Sequence, residues 1–212
     1  MYAGQVEIDQ IEQAVSVLNV AELKNIAKNL EGYDLALAKY RIALSANLTK
    51  QDDKAGDALD ESMSQLELLN KQQPSNVEVK ALLAQVYGYK IALNPIKGMY
   101  YGPKAQNMLA QAEELDPNNP RVLLIKGISA ANTPTIFGGS EEEALLAFGQ
   151  AISAYEDDQY SNYHWGFAEA YTWRGIINYK LDNKTSALAD WQQALVVEPS
   201  YGWAKSLIEK VQ

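Results

Sequence analysis

Residues 168–201 read AEAYTWRGIINYKLDNKTSALADWQQALVVEPSY. Within this stretch Gly175, Ala187, Trp191, Ala194 and Pro199 stand at offsets 0, 12, 16, 19 and 24. Such a pattern describes a helical hairpin. A residue without a side chain lets two helices cross closely, and a small–aromatic–small face on the second helix fills the crossing. The proline ends that second helix, because it has no amide hydrogen to continue the ladder. One hairpin of this kind cannot bury its own apolar face, so the pattern is informative only if it recurs.

It recurs upstream, with insertions. Gly127 is followed by Ala144, Phe148 and Ala151, the same triplet arriving five residues late. Ala84 and Tyr87 precede Ala105, Leu109, Ala112 and Pro117, nine residues late. Tyr33 and Tyr40 precede Ser62, Leu66, Leu69 and Pro74, about thirteen residues late. The units run over residues 30–76, 77–119, 120–158 and 168–201, the first three abutting.

Helix boundaries are readable beside them. Ser75 with Glu78, and Ser140 with Glu143, have capping-box spacing. Asn119-Pro120 and Gly102-Pro103 read as a cap followed by proline in the first helical position. Residues 5–18 and 20–30 carry Ile8, Ile11, Val15, Leu18, Leu23, Ile26 and Leu30 at helical spacing, and residues 1–29 read as N-terminal helices. Residues 202–212 read as a C-terminal capping helix, with Ser200 as its N-cap. No useful stretch alternates with period two, so the expectation is a single all-α domain over 1–212 without a sheet.

These residues resemble the tetratricopeptide repeat (TPR) superfamily over roughly 170 of the 212 positions. The resemblance implies a right-handed solenoid of about four helical hairpins, with peptide or protein partners held on the concave face of the first helices. Arg174 and Asn178 depart from the pattern, standing where leucine and tyrosine are usual. The two inserted segments, Asn94 to Ala105 and Asn132 to Ser140, are similar to loops of bacterial TPR-like proteins that often carry an export signal and no assigned activity. That resemblance implies a periplasmic or envelope location more than a cytoplasmic one, and it supplies no catalytic residue.

Composition narrows the function. The chain has 18 Lys+Arg against 27 Asp+Glu, a formal charge of −9, which argues against binding to nucleic acid or to an anionic membrane. It has no cysteine and one histidine. Disulfides, thiol nucleophiles, iron–sulfur clusters and multi-histidine metal sites are thereby excluded. No apolar run of about 18 residues occurs, so no transmembrane segment is expected. Met1 to Gln5 shows no signal peptide, which suits either a cytoplasmic protein or a mature form whose leader was removed.

Candidate site residues follow from projecting the first helices onto a concave face. The projection selects Asp34, Ala38 and Arg41; Gln85 and Tyr89; Leu124, Ile128 and Asn132; and Thr172, Trp173, Ile176 and Tyr179. Aromatic and aliphatic walls with amides and an arginine suit an extended peptide. The alternative is that the apolar members pack in the core. The inserted loops 94–104 and 132–140 add Ile96, Lys97, Met99, Tyr100, Tyr101, Lys104, Ile136 and Phe137, either as a binding edge or as a satellite core in which the two loops fold on each other.

Tyr160 to Gly166, with His164 and Trp165, is a further aromatic segment. The lone histidine has no sequence partner for proton transfer. The Glu141–Glu143 and Asp157–Asp158 runs read as helix-end or solvated charge, without calcium-loop spacing. No nucleophile elbow, phosphate loop, dinucleotide fingerprint or His-Glu-x-x-His motif is present. The sequence therefore reads as a non-catalytic binder or scaffold with no cofactor and no metal. The partner-binding candidates are Arg41, Gln85, Tyr89, Lys97, Tyr100, Tyr101, Asn132, Phe137, Trp165 and Tyr179. Two alternatives stay open: a small-molecule binder closed by the same loops, and the helical subunit of a homo-oligomer.

Overall fold

A computed structural model describes residues 5–156 and 164–211, the side chains at positions 52 and 53 apart. Residues 1–4, 157–163 and 212 lie outside the described residues, and with them the Asp157–Asp158 run and most of the 160–166 segment. Among the described residues every regular element is helical.

The chain divides into two compact units, residues 1–116 and 117–212. The first contains α1 (Gln5–Ser16), α2 (Val20–Ala27), α3 (Gly32–Leu48), α4 (Asp52–Gln72), α5 (Val77–Leu93) and α6 (Gly98–Leu115). The second contains α7 (Pro120–Asn132), α8 (Glu141–Glu156), α9 (Phe167–Lys180), α10 (Lys184–Val197) and α11 (Gly202–Val211). The pairs α3–α4, α5–α6, α7–α8 and α9–α10 pack as hairpins. Short 3-10 turns, Pro95–Lys97 and Thr135–Phe137, precede α6 and α8.

The small–aromatic rule works as the spacing requires. Trp191 and Phe148 are fully buried on α10 and α8. A Cβ built on Gly175 would stand 2.4 Å from the Trp191 Nε1, and one on Gly127 would stand 2.5 Å from the Phe148 ring. Each glycine is thus the slot into which the facing aromatic fits. The Trp191 indole donates across the hairpin to the Thr172 carbonyl at 3.2 Å. In the first unit the same role falls to aliphatic packing, with Leu37, Leu59, Leu66 and Leu82 fully buried.

Three interhelical turns share one closure. Leu18, Lys50 and Asp182 follow α1, α3 and α9 with φ of 54°, 59° and 61°. After each, the next amide returns to the helix: Asn19 to the Ala14 carbonyl at 2.9 Å, Gln51 to Ala46 at 2.8 Å and Asn183 to Asn178 at 2.8 Å. This is the Schellman arrangement, built here without glycine. The α5–α6 and α7–α8 turns lack it and use the 3-10 segments instead.

Several caps differ from the sequence reading. Asn76, not Ser75, caps α5, accepting from the Val79 amide at 3.1 Å. Asn119 caps α7 as expected, accepting from Arg121 and Val122 at 3.0 and 3.2 Å. Ser140 accepts from the Glu143 amide at 3.2 Å. Ser200 lies two residues before the start of α11 and donates its hydroxyl to Glu198 at 2.6 Å. The largest correction is at Gly102-Pro103. Helix α6 starts at Gly98, because the 3-10 turn passes into it through an αR glycine (φ −56°, ψ −41°), and Pro103 lies inside the helix. The segment expected as an eleven-residue loop, 94–104, is therefore a three-residue 3-10 turn followed by helix.

The departures at Arg174 and Asn178 are explained. Both clasp the buried Asp190 of α10: the Arg174 guanidinium through contacts of 2.6 and 3.1 Å, the Asn178 amide at 3.0 Å. A polar clamp replaces the apolar pair usual between the two helices of the hairpin.

Candidate functional site

In the first unit, most side chains projected to a concave face are consumed by the fold. Arg41 is buried, its guanidinium paired with the Glu12 carboxylate at 2.9 and 3.1 Å. Asp34 and Ala38 are also buried. Helix α3 is enclosed by its neighbours, so it presents no open groove. Gln85 and Tyr89 on α5 stay half-exposed. Gln85 donates to the Tyr40 hydroxyl at 2.8 Å, and the Tyr89 hydroxyl accepts from Asn47 at 3.1 Å while its ring meets Tyr40 edge-on at 5.8 Å. Burial pushes the Tyr89 phenol up from its ordinary value, and the Asn47 bond opposes it.

The α5–α6 turn is two-sided. Asn94 caps its 3-10 segment, accepting from the Ile96 amide at 3.2 Å. Tyr101 turns inward and stacks on Tyr87 at 5.6 Å, with Tyr100 edge-on to it at 4.9 Å. The Lys104 ammonium donates to the Tyr100 hydroxyl at 3.0 Å and lies 4.4 Å from the Tyr100 ring centre and 5.4 Å from that of Tyr87. Tyr87 in turn donates to Glu67 at 2.7 Å, and burial followed by that bond raises its pKa strongly. The outer side is bare: Ile96 is 90% exposed, Met99 95% and Tyr100 61%, with Lys97 exposed among them.

The second unit repeats this device in another form. The α7–α8 turn runs Thr133-Pro134, a 3-10 segment, then Gly138 at φ 94°. A Cβ at Gly139 would lie 1.7 Å from the Thr133 carbonyl oxygen, so only glycine closes this turn. Ile136 and Phe137 protrude, 83% and 68% exposed. Asn132 is exposed, but its amide donates to the Ile128 carbonyl at 2.8 Å. Ile96, Met99 and Tyr100 of the first segment and Ile136 and Phe137 of the second face outward, while Tyr101 packs inward on Tyr87.

On α9 the projection is partly met. Thr172 is buried, as are Leu124 and Ile128 on α7. Trp173 and Ile176 are half-exposed and Tyr179 is exposed. The Trp173 ring stacks on Phe148 at 6.4 Å and meets Trp203 of α11 edge-on at 5.3 Å. Its indole N–H is enclosed and has no acceptor among the described residues. Trp203 belongs to this surface, whereas the sequence alone places it only within a capping helix. The signal that it carries more is its position, four residues past Pro199, where a further first helix would begin. Trp165 is buried and His164 exposed.

A cavity of about 160 Å³ in the first unit is lined by residues that include Glu31, Tyr33, Asp34, Leu69, Gln73 and Val79. It is smaller than the usual ligand pocket of roughly 300–1,000 Å³. Among the described residues no three carboxylate or imidazole side chains converge as a metal-ligand set, and no helix is long and apolar enough to cross a membrane.

Helical hairpins packed through a glycine–aromatic slot define a TPR-type fold. A thermophilic TPR protein of Thermus thermophilus is similar to this chain with a TM-score of 0.56 and 18% identity, over 90% of this chain and 87% of its own. The HusA haemophore of Porphyromonas gingivalis is similar with a TM-score of 0.54 and 22% identity, over 82% of this chain and 92% of its own. No protein-family model matches the sequence. No curated protein matches it either.

Proposed function

We propose that the protein is a non-catalytic scaffold that holds a peptide or protein partner on the α9–α11 surface of its second unit. One observation carries this reading: the Trp173 indole N–H has no acceptor among the described residues, although its ring borders Trp203, next to half-exposed Ile176 and exposed Tyr179 on the same helix. A buried donor left unmade costs about 1–3 kcal/mol. A partner that displaces the Trp203 ring and offers a backbone carbonyl recovers that amount and gains aromatic walls for an apolar side chain. Extended peptides present such carbonyls at regular intervals. Gln85 and Tyr89 are the corresponding half-exposed groups of the first unit. The TPR-type fold, which presents first-helix surfaces to partners, supports the reading in general terms. The test is native affinity capture from cell extract with wild-type protein, Trp173→Phe and Tyr179→Ala, followed by mass spectrometry. Proteins retained by wild type and lost from both variants are the expected result; an unchanged set removes this surface from consideration.

A second reading, a carrier of an apolar small molecule, is favoured by the likeness to a haemophore. Titration with haemin separates the two. A saturable absorbance shift at one equivalent supports the carrier, and its absence leaves the peptide reading alone.

A further inference from the structure

The net charge of −9 conceals a sharp segregation. Residues 79–112 contain no Asp or Glu and four lysines, although the chain carries 27 acids in all. That acid-free stretch, 34 residues, is the longest in the chain, and the α5–α6 tip lies inside it. Two of its lysines are used by the fold. Lys80 is buried against Asn70 and Gln111 at 2.9 and 2.7 Å, and Lys90 pairs with Asp60 at 2.6 Å. Lys104 is half-exposed, bonded to the Tyr100 hydroxyl at 3.0 Å and 3.9 Å from Glu67, and Lys97 stands exposed beside the bare side chains of Ile96, Met99 and Tyr100.

The shape of the tip decides what can cover it. Ile96 and Met99, nine-tenths exposed, form no groove, so the occupant receives them rather than entering between them. A lipid bilayer does so without a preformed pocket. Short apolar side chains reach the acyl boundary, a tyrosine rests at the headgroup level, and lysines extend their ammonium groups to anionic phosphates. The remaining acids do not forbid this approach, because at physiological salt charges farther than about 8 Å are largely screened. We propose that the α5–α6 tip is a membrane-docking element, which inserts Ile96, Met99 and Tyr100 into the interface of a bilayer containing anionic lipid, with Lys97 on the headgroups and Lys104 steadying the Tyr100 hydroxyl. The docking is reversible, since a single small insertion gives marginal affinity. The α7–α8 tip shares the apolar side chains but is followed by Glu141, Glu142 and Glu143 at the start of α8. It serves as an internal contrast.

The absence of cysteine makes the test direct. Single-cysteine variants Met99→Cys, Phe137→Cys and Lys184→Cys are labelled with an environment-sensitive fluorophore and mixed with phosphatidylcholine vesicles, with and without one-third phosphatidylglycerol. The label at position 99 should brighten several-fold and shift to the blue on the anionic vesicles, with a smaller response on neutral ones. Labels at 137 and 184 should stay near their solution emission. Flotation of the unlabelled protein with anionic vesicles should fall at least five-fold in Ile96→Ser/Met99→Ser and about two-fold in Lys97→Gln. No response at 99 on either vesicle overturns the proposal, as does equal flotation of the serine variant. A response at 137 without one at 99 also overturns it, and the peptide surface on α9 is untouched by any of these outcomes.

Discussion

Replacing Gly175 by alanine adds one methyl group, and the structure says where it goes. The new Cβ would stand 2.4 Å from the Trp191 Nε1, 2.7 Å from its Cδ1 and 3.1 Å from the Ala187 carbonyl oxygen. The indole cannot step back freely, because it is fully buried and bonded to the Thr172 carbonyl at 3.2 Å. Overpacking of this kind costs about 1–3 kcal/mol, and a contact with a locked ring belongs at the upper end, ~3 kcal/mol. Alanine returns about 1 kcal/mol as the better helix former. The net expectation is a loss of about 2 kcal/mol, a fall in Tm of about 4–8 °C for a chain of this size. Gly149→Ala on α8 is the control. Nothing lies within 4 Å of its Cβ, so only the helix-forming gain remains and stability should rise by about 1 kcal/mol. Guanidinium melts followed by circular dichroism measure both. In a Trp191→Leu background the slot is vacant, and Gly175→Ala should lose at least half its cost, a coupling that a double-mutant cycle reads directly. If Gly175→Ala stabilises the protein as Gly149→Ala does, the glycine–aromatic slot is not what holds the hairpin.

Other expectations follow from the same contacts. Arg174→Ala strands the buried Asp190 carboxylate and should cost about 2–3 kcal/mol, whereas Arg174→Leu/Asn178→Tyr/Asp190→Ala, which removes the clamp entirely, should fall within about 1 kcal/mol of wild type in the same melts. Lys50→Gly and Asp182→Gly relieve left-handed backbone at φ 59° and 61° and should each raise the denaturation midpoint, by an equivalent of about 1 kcal/mol. Burial holds the Lys80 ammonium below its ordinary pKa, so between that lowered value and 10.5 the unfolded chain binds more protons and stability rises with pH. Melts at about pH 8 and about pH 10 should show the rise in wild type and a flatter profile in Lys80→Met. Gly139→Ala, blocked by the Thr133 carbonyl, should destabilise the α7–α8 turn, and faster amide exchange at Ser140 would report it.

The hairpins are legible in the sequence because their signal is local and steric. The spacing from Gly175 to Trp191 measures how far along two antiparallel helices a crossing lies, and Gly127 with Phe148 repeats it despite an insertion. The helix faces are harder. Projecting Arg41 and Leu124 onto a groove assumes that each first helix leaves one side open, whereas α3 is covered by elements of its own unit on nearly every side. Which partner covers a face is a tertiary fact, and no period in a single helix records it. Gly102-Pro103 misleads for a different reason. Proline at a helix start is a statistical preference, and here the preceding turn already has helical geometry, so the helix runs through it. Arg174, Asn178 and Asp190 can be flagged as unusual, but the clamp that joins them needs positions 16 and 12 apart to meet across the hairpin.

The turns bear on function because they fall into two kinds. Those after α1, α3 and α9 close with paired backbone bonds and leave their apolar side chains less bare, Val17 at 61%, Leu48 at 56% and Leu181 at 46% exposed. Those after α5 and α7 are longer, built on Pro95 and Pro134, and present isoleucine, methionine and aromatic side chains to solvent. Folding gains nothing from Ile96 or Ile136, since neither is buried, and solubility loses by both. The shorter closure was open to both hairpins, as α3–α4 and α9–α10 demonstrate. Two turns of costlier design at the same place in successive hairpins therefore answer to something outside the fold. The exposed Lys97 of the first, and the three glutamates that follow the second, give them different electrostatic preferences.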